Sequence, residues 1–103
     1  MVEVLRTGAA EPTWRLVGEL DMASVRDLRA AFEPVLLGRE VVRSMVLDLS
    51  GLTFIDSSGV RALVDLAGAP GCVHLVLSHP DRSVEKVLHL IGLEAHPRID
   101  IES

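Results

Sequence analysis

Residues 45–66, MVLDLSGLTFIDSSGVRALVDL, join a short apolar run to a helical pattern through a polar turn. The apolar run at 45–49 (MVLDL) is typical of a strand that is covered on both faces in a parallel sheet. After the polar DSSG, apolar residues recur at helical spacing, as Val60, Leu63, Val64 and Ala67. They predict a helix that begins around Ser57 or Ser58 and ends at Gly68. A strand followed by a turn and a helix is the repeating unit of α/β folds.

Further strands are predicted on both sides of this unit. A second apolar run at 73–77 (VHLVL) follows the helix and predicts another covered strand. Residues 2–5 (VEVL) and 14–20 (WRLVGEL) alternate partly in apolar character, with the turn-forming GAAEP at 8–12 between them. This pattern predicts an antiparallel hairpin whose first strand lies at the edge of the sheet. The residues around 98–101 predict a short terminal strand.

Two more helices are predicted between these strands. Ser24 stands at a cap position, in front of an apolar stripe with helical spacing. Pro34 lies inside that stripe, and because it lacks an amide hydrogen and crowds the preceding turn, we expect a kink or an end near Glu33. The last helix is expected to begin with Asp81 as its cap and to end at Gly92.

The order of these elements predicts the fold class. Helices alternate with strands after the first hairpin, and crossovers between parallel strands are right-handed. The expected architecture is therefore α/β, with a mostly parallel central sheet of four to five strands, an antiparallel N-terminal edge strand and flanking helices. At 103 residues, with no linker or repeat, the chain is expected to form one domain over residues 1–103.

Composition excludes several classes of function. A formal charge of −5 with no basic run disfavours binding to nucleic acid or to anionic lipid. One cysteine, Cys72, excludes an internal disulfide, suits a reducing cytosol and is expected to be buried. No signal peptide is recognisable, and the uncharged stretch at 66–80 is shorter than a membrane span. We therefore expect a cytoplasmic protein with no insertion into the membrane.

The polar residues between Leu49 and Gly59 are expected to form a loop at the carboxyl end of a central strand, where sites in open α/β sheets tend to lie. GELD at 18–21 also follows a strand and precedes a helix, so the two segments are expected to share one surface. The alternative for GELD is a tight turn in which Asp21 is only a local hydrogen-bond acceptor. Ser57 and Ser58 lie at a helix N-terminus, which tolerates a phosphate. The alternative is that Asp56 and the serines only cap the helix.

Catalytic and metal-binding motifs are not recognisable in the sequence. Ser57 has no glycine two residues before it, so DSSG is not the nucleophile elbow G-x-S-x-G. The phosphate-cradling G-x-x-x-x-G-K-[ST] does not occur. The histidines, which are His74, His79, His89 and His96, have no spacing typical of a metal site. We expect no catalytic residue, no metal ion and no cofactor.

Three blocks of the chain, taken together, resemble the STAS domain of bacterial anti-sigma factor antagonists. They are GELDMASVRDLRAAF at 18–32, the stretch at 45–66, and HPDRSVEKVLHLIGL at 79–93. The resemblance covers nearly the whole chain in the order of the family. It implies a protein that is not an enzyme and that binds an anti-sigma factor, which is also a serine kinase, so that the sigma factor is released. The resemblance also implies that phosphorylation abolishes this binding until a serine phosphatase restores it.

Carried onto this chain, the resemblance makes Ser57 the phosphorylation site rather than Ser58. Asp56 would orient the loop and the Ser57 hydroxyl, and Gly59 would allow the backbone of a partner to approach. Arg61, one turn into the helix, could pair with the phosphate; the alternative is a solvated surface arginine. The predicted partner-binding residues are Gly18, Glu19, Asp21, Asp56, Ser57, Ser58, Gly59 and Arg61. The protein is expected to be a monomer or a weak dimer.

Two other functions remain open at this point. One is a different STAS role, as an accessory subunit of a lipid or anion transporter or as a scaffold in a stress-signalling complex. The other is a small hydrolase with Ser57 as nucleophile, which would need a histidine within hydrogen-bond reach of that serine.

The helix after DSSG also ends earlier than in the family, with AGAPGC at 67–72 in place of a longer, basic helical end.

Overall fold

The computed structural model describes residues 1–8 and 12–103, so residues 9–11 of the predicted GAAEP turn lie outside the described residues. The strands are β1 (Val2–Thr7), β2 (Thr13–Leu20), β3 (Val42–Ile55), β4 (Cys72–Ser78) and β5 (Ile99–Glu102). The helices are α1 (Val25–Ala31), α2 (Glu33–Leu36), α3 (Ser57–Ala67) and α4 (Arg82–Ile91), with a short 3₁₀ helix at Leu93–Ala95.

The five strands form one sheet in the order β1-β2-β3-β4-β5. β1 is antiparallel to β2, and β2 to β5 are parallel. The predicted fold class is therefore confirmed, including the antiparallel edge strand and the short terminal strand.

The helices lie on one face of this sheet. Strand order follows chain order, and right-handed crossovers that advance in one direction place every connecting helix on the same side. Burial alternates accordingly along β3, where Leu47 is fully buried and Asp48 is half-buried. In β4, by contrast, the consecutive residues Leu75, Val76 and Leu77 are all buried. The expectation that the run at 45–49 is covered on both faces was wrong, because that arrangement needs helices on two sides of the sheet. In the run at 73–77, the burial of Val76 between Leu75 and Leu77 agrees with the expectation at those residues.

The core between the sheet and the helices is built from aliphatic side chains, chiefly leucines. Trp14 and Phe32 add an aromatic edge contact, with ring centroids 5.4 Å apart. Cys72 is buried as predicted, and burial raises the pKa of its thiol. Within residues 1–8 and 12–103, no helix is long and apolar enough to cross a membrane.

The helix boundaries confirm most of the sequence predictions. α1 ends at Ala31, and the following turn of helix begins at Glu33 with Pro34 in its first turn, where no amide donor is needed. Asp81 caps α4 by accepting a hydrogen bond from the Val84 amide at 2.9 Å. Gly92 ends that helix in the left-handed conformation at φ 79°.

β3 is longer than the sequence predicted. The apolar run at 45–49 is only its middle, and the strand continues to Ile55. The predicted loop from Leu49 to Gly59 was therefore wrong. The pairing of β3 with β2 shifts in register on the way to Ile55, once beside Gly51. Such irregularities allow the strand to continue through polar residues that, from the sequence alone, predicted a turn.

Candidate functional site

Asp56 is the one residue between β3 and α3, and it holds the two elements together. Its amide donates a hydrogen bond to the Leu20 carbonyl at 3.2 Å, which continues the pairing of β3 with β2. Its side-chain Oδ1 accepts a hydrogen bond from the Gly59 amide at 3.0 Å. Asp56 is therefore the N-cap of α3, as one of the two interpretations of DSSG required.

Ser57 and Ser58 are the first two residues of α3, and they differ in exposure. Ser57 is exposed, whereas Ser58 is half-buried. In the part of the chain that the structure describes, neither hydroxyl is in a hydrogen bond, and the first intrahelical bond is donated by Val60 to the Asp56 carbonyl. The amides of both serines are thus free of helical partners, at the end of the helix that carries partial positive charge.

The GELD segment is a hydrogen-bonded turn organised by Ser24. The Ser24 amide donates to the Asp21 carboxylate at 3.0 Å, and the Ser24 hydroxyl donates to the Glu19 carbonyl at 2.7 Å. Hydrogen bonds from Ser24 lower the pKa of the Asp21 carboxyl. The hydroxyl of Ser24 does not cap α1, although the residue occupies the cap position. The tight turn with Asp21 as a local hydrogen-bond acceptor, which the sequence left open for GELD, is thus confirmed. The spacing of Ser24 before the helix suggested only a cap, so its contact with Glu19 was not predicted.

The register of β2 and β3 brings the two polar segments together. Glu19 pairs with Phe54, and Leu20 pairs with Ile55, immediately before Asp56. GELD and DSSG therefore lie side by side at the carboxyl edge of the sheet, and the prediction that they share one surface is confirmed. We call this region the strand-end surface, defined by its exposed or half-buried residues Glu19, Asp21, Met22, Phe54, Asp56 and Ser57.

Gly59 and Gly18 each lie in close contact with the backbone of another segment of the same chain. Gly59 is buried, and a Cβ there would collide with the Leu20 carbonyl oxygen and lie 2.8 Å from the Ile55 side chain. The close approach that the sequence assigned to a partner backbone is thus made by β2 of the same chain. Gly18 has φ 112°, and a Cβ there would collide with the Met1 carbonyl oxygen.

Arg61 lies one turn along α3 from Ser57 and pairs with a carboxylate. Its Nε is 3.3 Å from Asp65 Oδ1, and Arg29 of α1 is 3.5 Å from the other oxygen of the same carboxylate. The predicted pairing of Arg61 with a phosphate would have to displace this contact. Surface ion pairs contribute little free energy, so the displacement is inexpensive.

The hydrolase hypothesis finds no support in the described residues. His74 is hydrogen-bonded to Asp100 at 2.7 Å, and His89 lies between Glu85 and Glu94. No histidine nitrogen is hydrogen-bonded to Ser57 within 1–8 and 12–103. Over the same ranges, no group of three His, Cys, Asp or Glu side chains could hold a metal ion.

Comparisons with known proteins identify the family. The model of the family described as "Mlab, STAS domain" matches residues 4–100. The anti-sigma F factor antagonist of Lysinibacillus sphaericus is 32% identical over 83 residues, which are 77% of this chain and 68% of the relative. The chain belongs to the anti-sigma factor antagonist family of STAS domains. It is thereby a binding protein rather than an enzyme.

Solved structures of this family have the same fold. The anti-sigma factor antagonist SpoIIAA in its unphosphorylated form has a TM-score of 0.68 and 25% identity, over 100% of this chain and 89% of that chain. A protein of Thermotoga maritima described as a putative anti-sigma factor antagonist has a TM-score of 0.77 and 20% identity, over 97% of this STAS domain and 86% of its own chain. The latter likeness shows the fold alone.

Proposed function

We propose that this STAS domain binds an anti-sigma factor through the strand-end surface and so releases the sigma factor. Phosphorylation of Ser57 switches the binding off. The anti-sigma factor is itself the serine kinase, and a serine phosphatase returns the domain to its binding form. Both reactions take place in the cytoplasm, with the domain as a monomer or a weak dimer. The observation that carries the proposal is that Ser57 is exposed on the surface that GELD and DSSG share.

Two relatives support this reading. The Lysinibacillus sphaericus protein is named as an antagonist of the anti-sigma F factor. SpoIIAA has solved structures in an unphosphorylated and in a phosphorylated form.

Exposure distinguishes the two serines as phosphate acceptors. A kinase must reach the hydroxyl and leave room for three phosphate oxygens, and the exposed Ser57 offers that access whereas Ser58 is half-buried. A phosphate on Ser57 would lie at the N-terminus of α3, where free amides and the helix dipole favour negative charge. The phosphorylated domain would therefore remain folded, since the Asp56 cap bond to Gly59 is independent of the Ser57 hydroxyl.

The phosphate would act on the complex rather than on the fold. It adds about −1.5 to −2 charges to a surface that already carries the Glu19 and Asp56 carboxylates. A dianion that is desolvated without a partner costs several kcal/mol, and about 1.4 kcal/mol weakens a complex tenfold. Phosphorylation can therefore abolish a complex of micromolar or stronger affinity without any change in the conformation of the domain.

The assignment of Ser57 is tested by a kinase assay with matched serine variants. The domain is incubated with the purified anti-sigma factor and ATP, and intact mass spectrometry counts the phosphates. We expect one phosphate on the wild-type domain and on Ser58→Ala, and none on Ser57→Ala. Phosphate on Ser57→Ala, or its absence from the wild-type domain, would contradict the proposal.

A further inference from the structure

The strand-end surface contains two large apolar side chains that the described chain leaves half or more exposed. Met22 is 76% exposed and Phe54 is 50% exposed. Met22 lies in the turn after β2, and Phe54 lies near the end of β3, directly beside Glu19 in the β2–β3 register. Met22 follows Glu19 by three residues and Phe54 pairs with Glu19, so both apolar residues neighbour the same strand end. Exposed apolar residues of this size that are rimmed by polar residues mark interaction sites.

Three carboxylates form the polar rim of these apolar residues. They belong to Glu19, Asp21 and Asp56, and within residues 1–8 and 12–103 none of them is in an ion pair. The carboxylates of Asp21 and Asp56 are held in place by amides of their own turns, so the negative charges are fixed at the surface. A partner that binds this rim has to supply arginine or lysine side chains.

We propose that Met22 and Phe54 form the apolar centre of the contact with the anti-sigma factor. The matching surface of the anti-sigma factor is an exposed apolar patch surrounded by arginine or lysine residues. This inference rests on the proposed function and specifies its partner surface. Large apolar anchors near the centre of an interface supply most of its binding free energy, whereas charges at the rim govern orientation and the rate of association.

This arrangement also explains how phosphorylation can weaken binding to a basic partner. Ser57 follows Phe54 by three residues, so a phosphate on Ser57 would lie at the border of the apolar centre. The partner covers that border with apolar groups, which cannot solvate a dianion. The loss of binding then arises from desolvation at the centre, and added salt cannot relieve it.

The test compares serine substitutions at the strand-end surface with controls of equal exposure elsewhere. Leu90 is 76% exposed and Ile91 is 51% exposed, and both lie at the C-terminal end of α4, at the opposite edge of the sheet. Affinity for the purified anti-sigma factor is measured by isothermal titration calorimetry at two salt concentrations. We expect Met22→Ser and Phe54→Ser each to weaken binding by about tenfold or more. Leu90→Ser and Ile91→Ser should bind as the wild-type domain does.

The outcomes separate this inference from the proposed function. A wild-type domain that does not bind the anti-sigma factor contradicts both. Wild-type binding that survives Met22→Ser and Phe54→Ser contradicts the apolar centre alone. We expect salt to weaken wild-type binding, because it screens the charges of the rim. The ratio of wild-type to Phe54→Ser affinity should be the same at both salt concentrations. The free domain could also sediment as a dimer that Phe54→Ser dissociates. That result would show that Met22 and Phe54 contact a second copy of the domain, and it would overturn the inference.

Discussion

Gly59 lies directly against the carbonyl oxygen of Leu20, and a Cβ atom at Gly59 would collide with that oxygen. The same Leu20 carbonyl accepts the hydrogen bond of the Asp56 amide. The first turn of α3 is thus pressed onto the end of β2. This contact fixes the position of Ser57 relative to Glu19 on the strand-end surface.

Gly59→Ala is expected to destabilise the domain. The added methyl group has to displace the backbone of β2 or the start of α3, and overpacking of this kind costs about 1–3 kcal/mol. Urea unfolding followed by circular dichroism measures the loss. Gly68→Ala is the control, since a Cβ at Gly68 would lie 3.6 Å from the nearest atom and φ is −88°. Equal stability of Gly59→Ala and the wild-type domain would show that the contact is not tight.

Substitutions of Asp56 separate its capping role from its charge. Asp56→Ala removes the acceptor of the Gly59 amide and should lower the free energy of unfolding by about 1 kcal/mol. Asp56→Asn keeps an oxygen acceptor, so its stability should stay close to that of the wild-type domain. The free energies of unfolding of both variants are compared by urea titration. A domain that tolerates Asp56→Ala without loss would mean that the cap bond contributes nothing.

Because Asp81 caps α4, part of the free energy of unfolding should depend on pH in the acid range. Hydrogen bonds from the Val84 amide and the Ser83 hydroxyl lower the pKa of Asp81 below 3.8. A carboxylate with a lowered pKa in the folded state stabilises the domain above its unfolded pKa, and this stabilisation is lost as the pH falls through the folded pKa.

Asp81→Asn replaces this titrating cap with one that does not titrate. The free energy of unfolding of the variant should therefore fall less steeply than that of the wild-type domain between about pH 5 and about pH 2. Urea unfolding at a series of pH values measures both slopes. Parallel slopes would exclude a contribution of Asp81 to acid unfolding.

Local signals in the sequence were sufficient for the order of the elements and for several boundaries. Pro34 ended α1 because proline cannot donate within a helix, and Asp81 and Gly92 marked the ends of α4. The length of β3 could not be read in this way. Its last part pairs with β2 through an irregular register beside Gly51, and the residues involved are polar or small. Pairing between strands, rather than their own sequence, decides such a boundary.

In the candidate site, too, some features follow from local sequence signals and others only from contacts between distant segments. The exposed Ser57 and the capping Asp56 follow from the position of DSSG in front of a helix. The organisation of the GELD turn depends on the contact of the Ser24 hydroxyl with the Glu19 carbonyl, which is five residues away. The apolar pair on the strand-end surface depends on the β2–β3 register, which places Phe54 beside Glu19. Contacts of this kind are fixed only when the chain has folded.

The affinity of the purified anti-sigma factor for two forms of the domain tests the role of Ser57 most directly. One form is unphosphorylated, and the other carries phosphate on Ser57 as verified by mass spectrometry. Far-UV circular dichroism should be the same for both forms. We predict that the phosphorylated form binds at least about a hundredfold more weakly, which corresponds to about 2.8 kcal/mol. Equal affinities of the two forms would contradict the assignment of Ser57 as the switch.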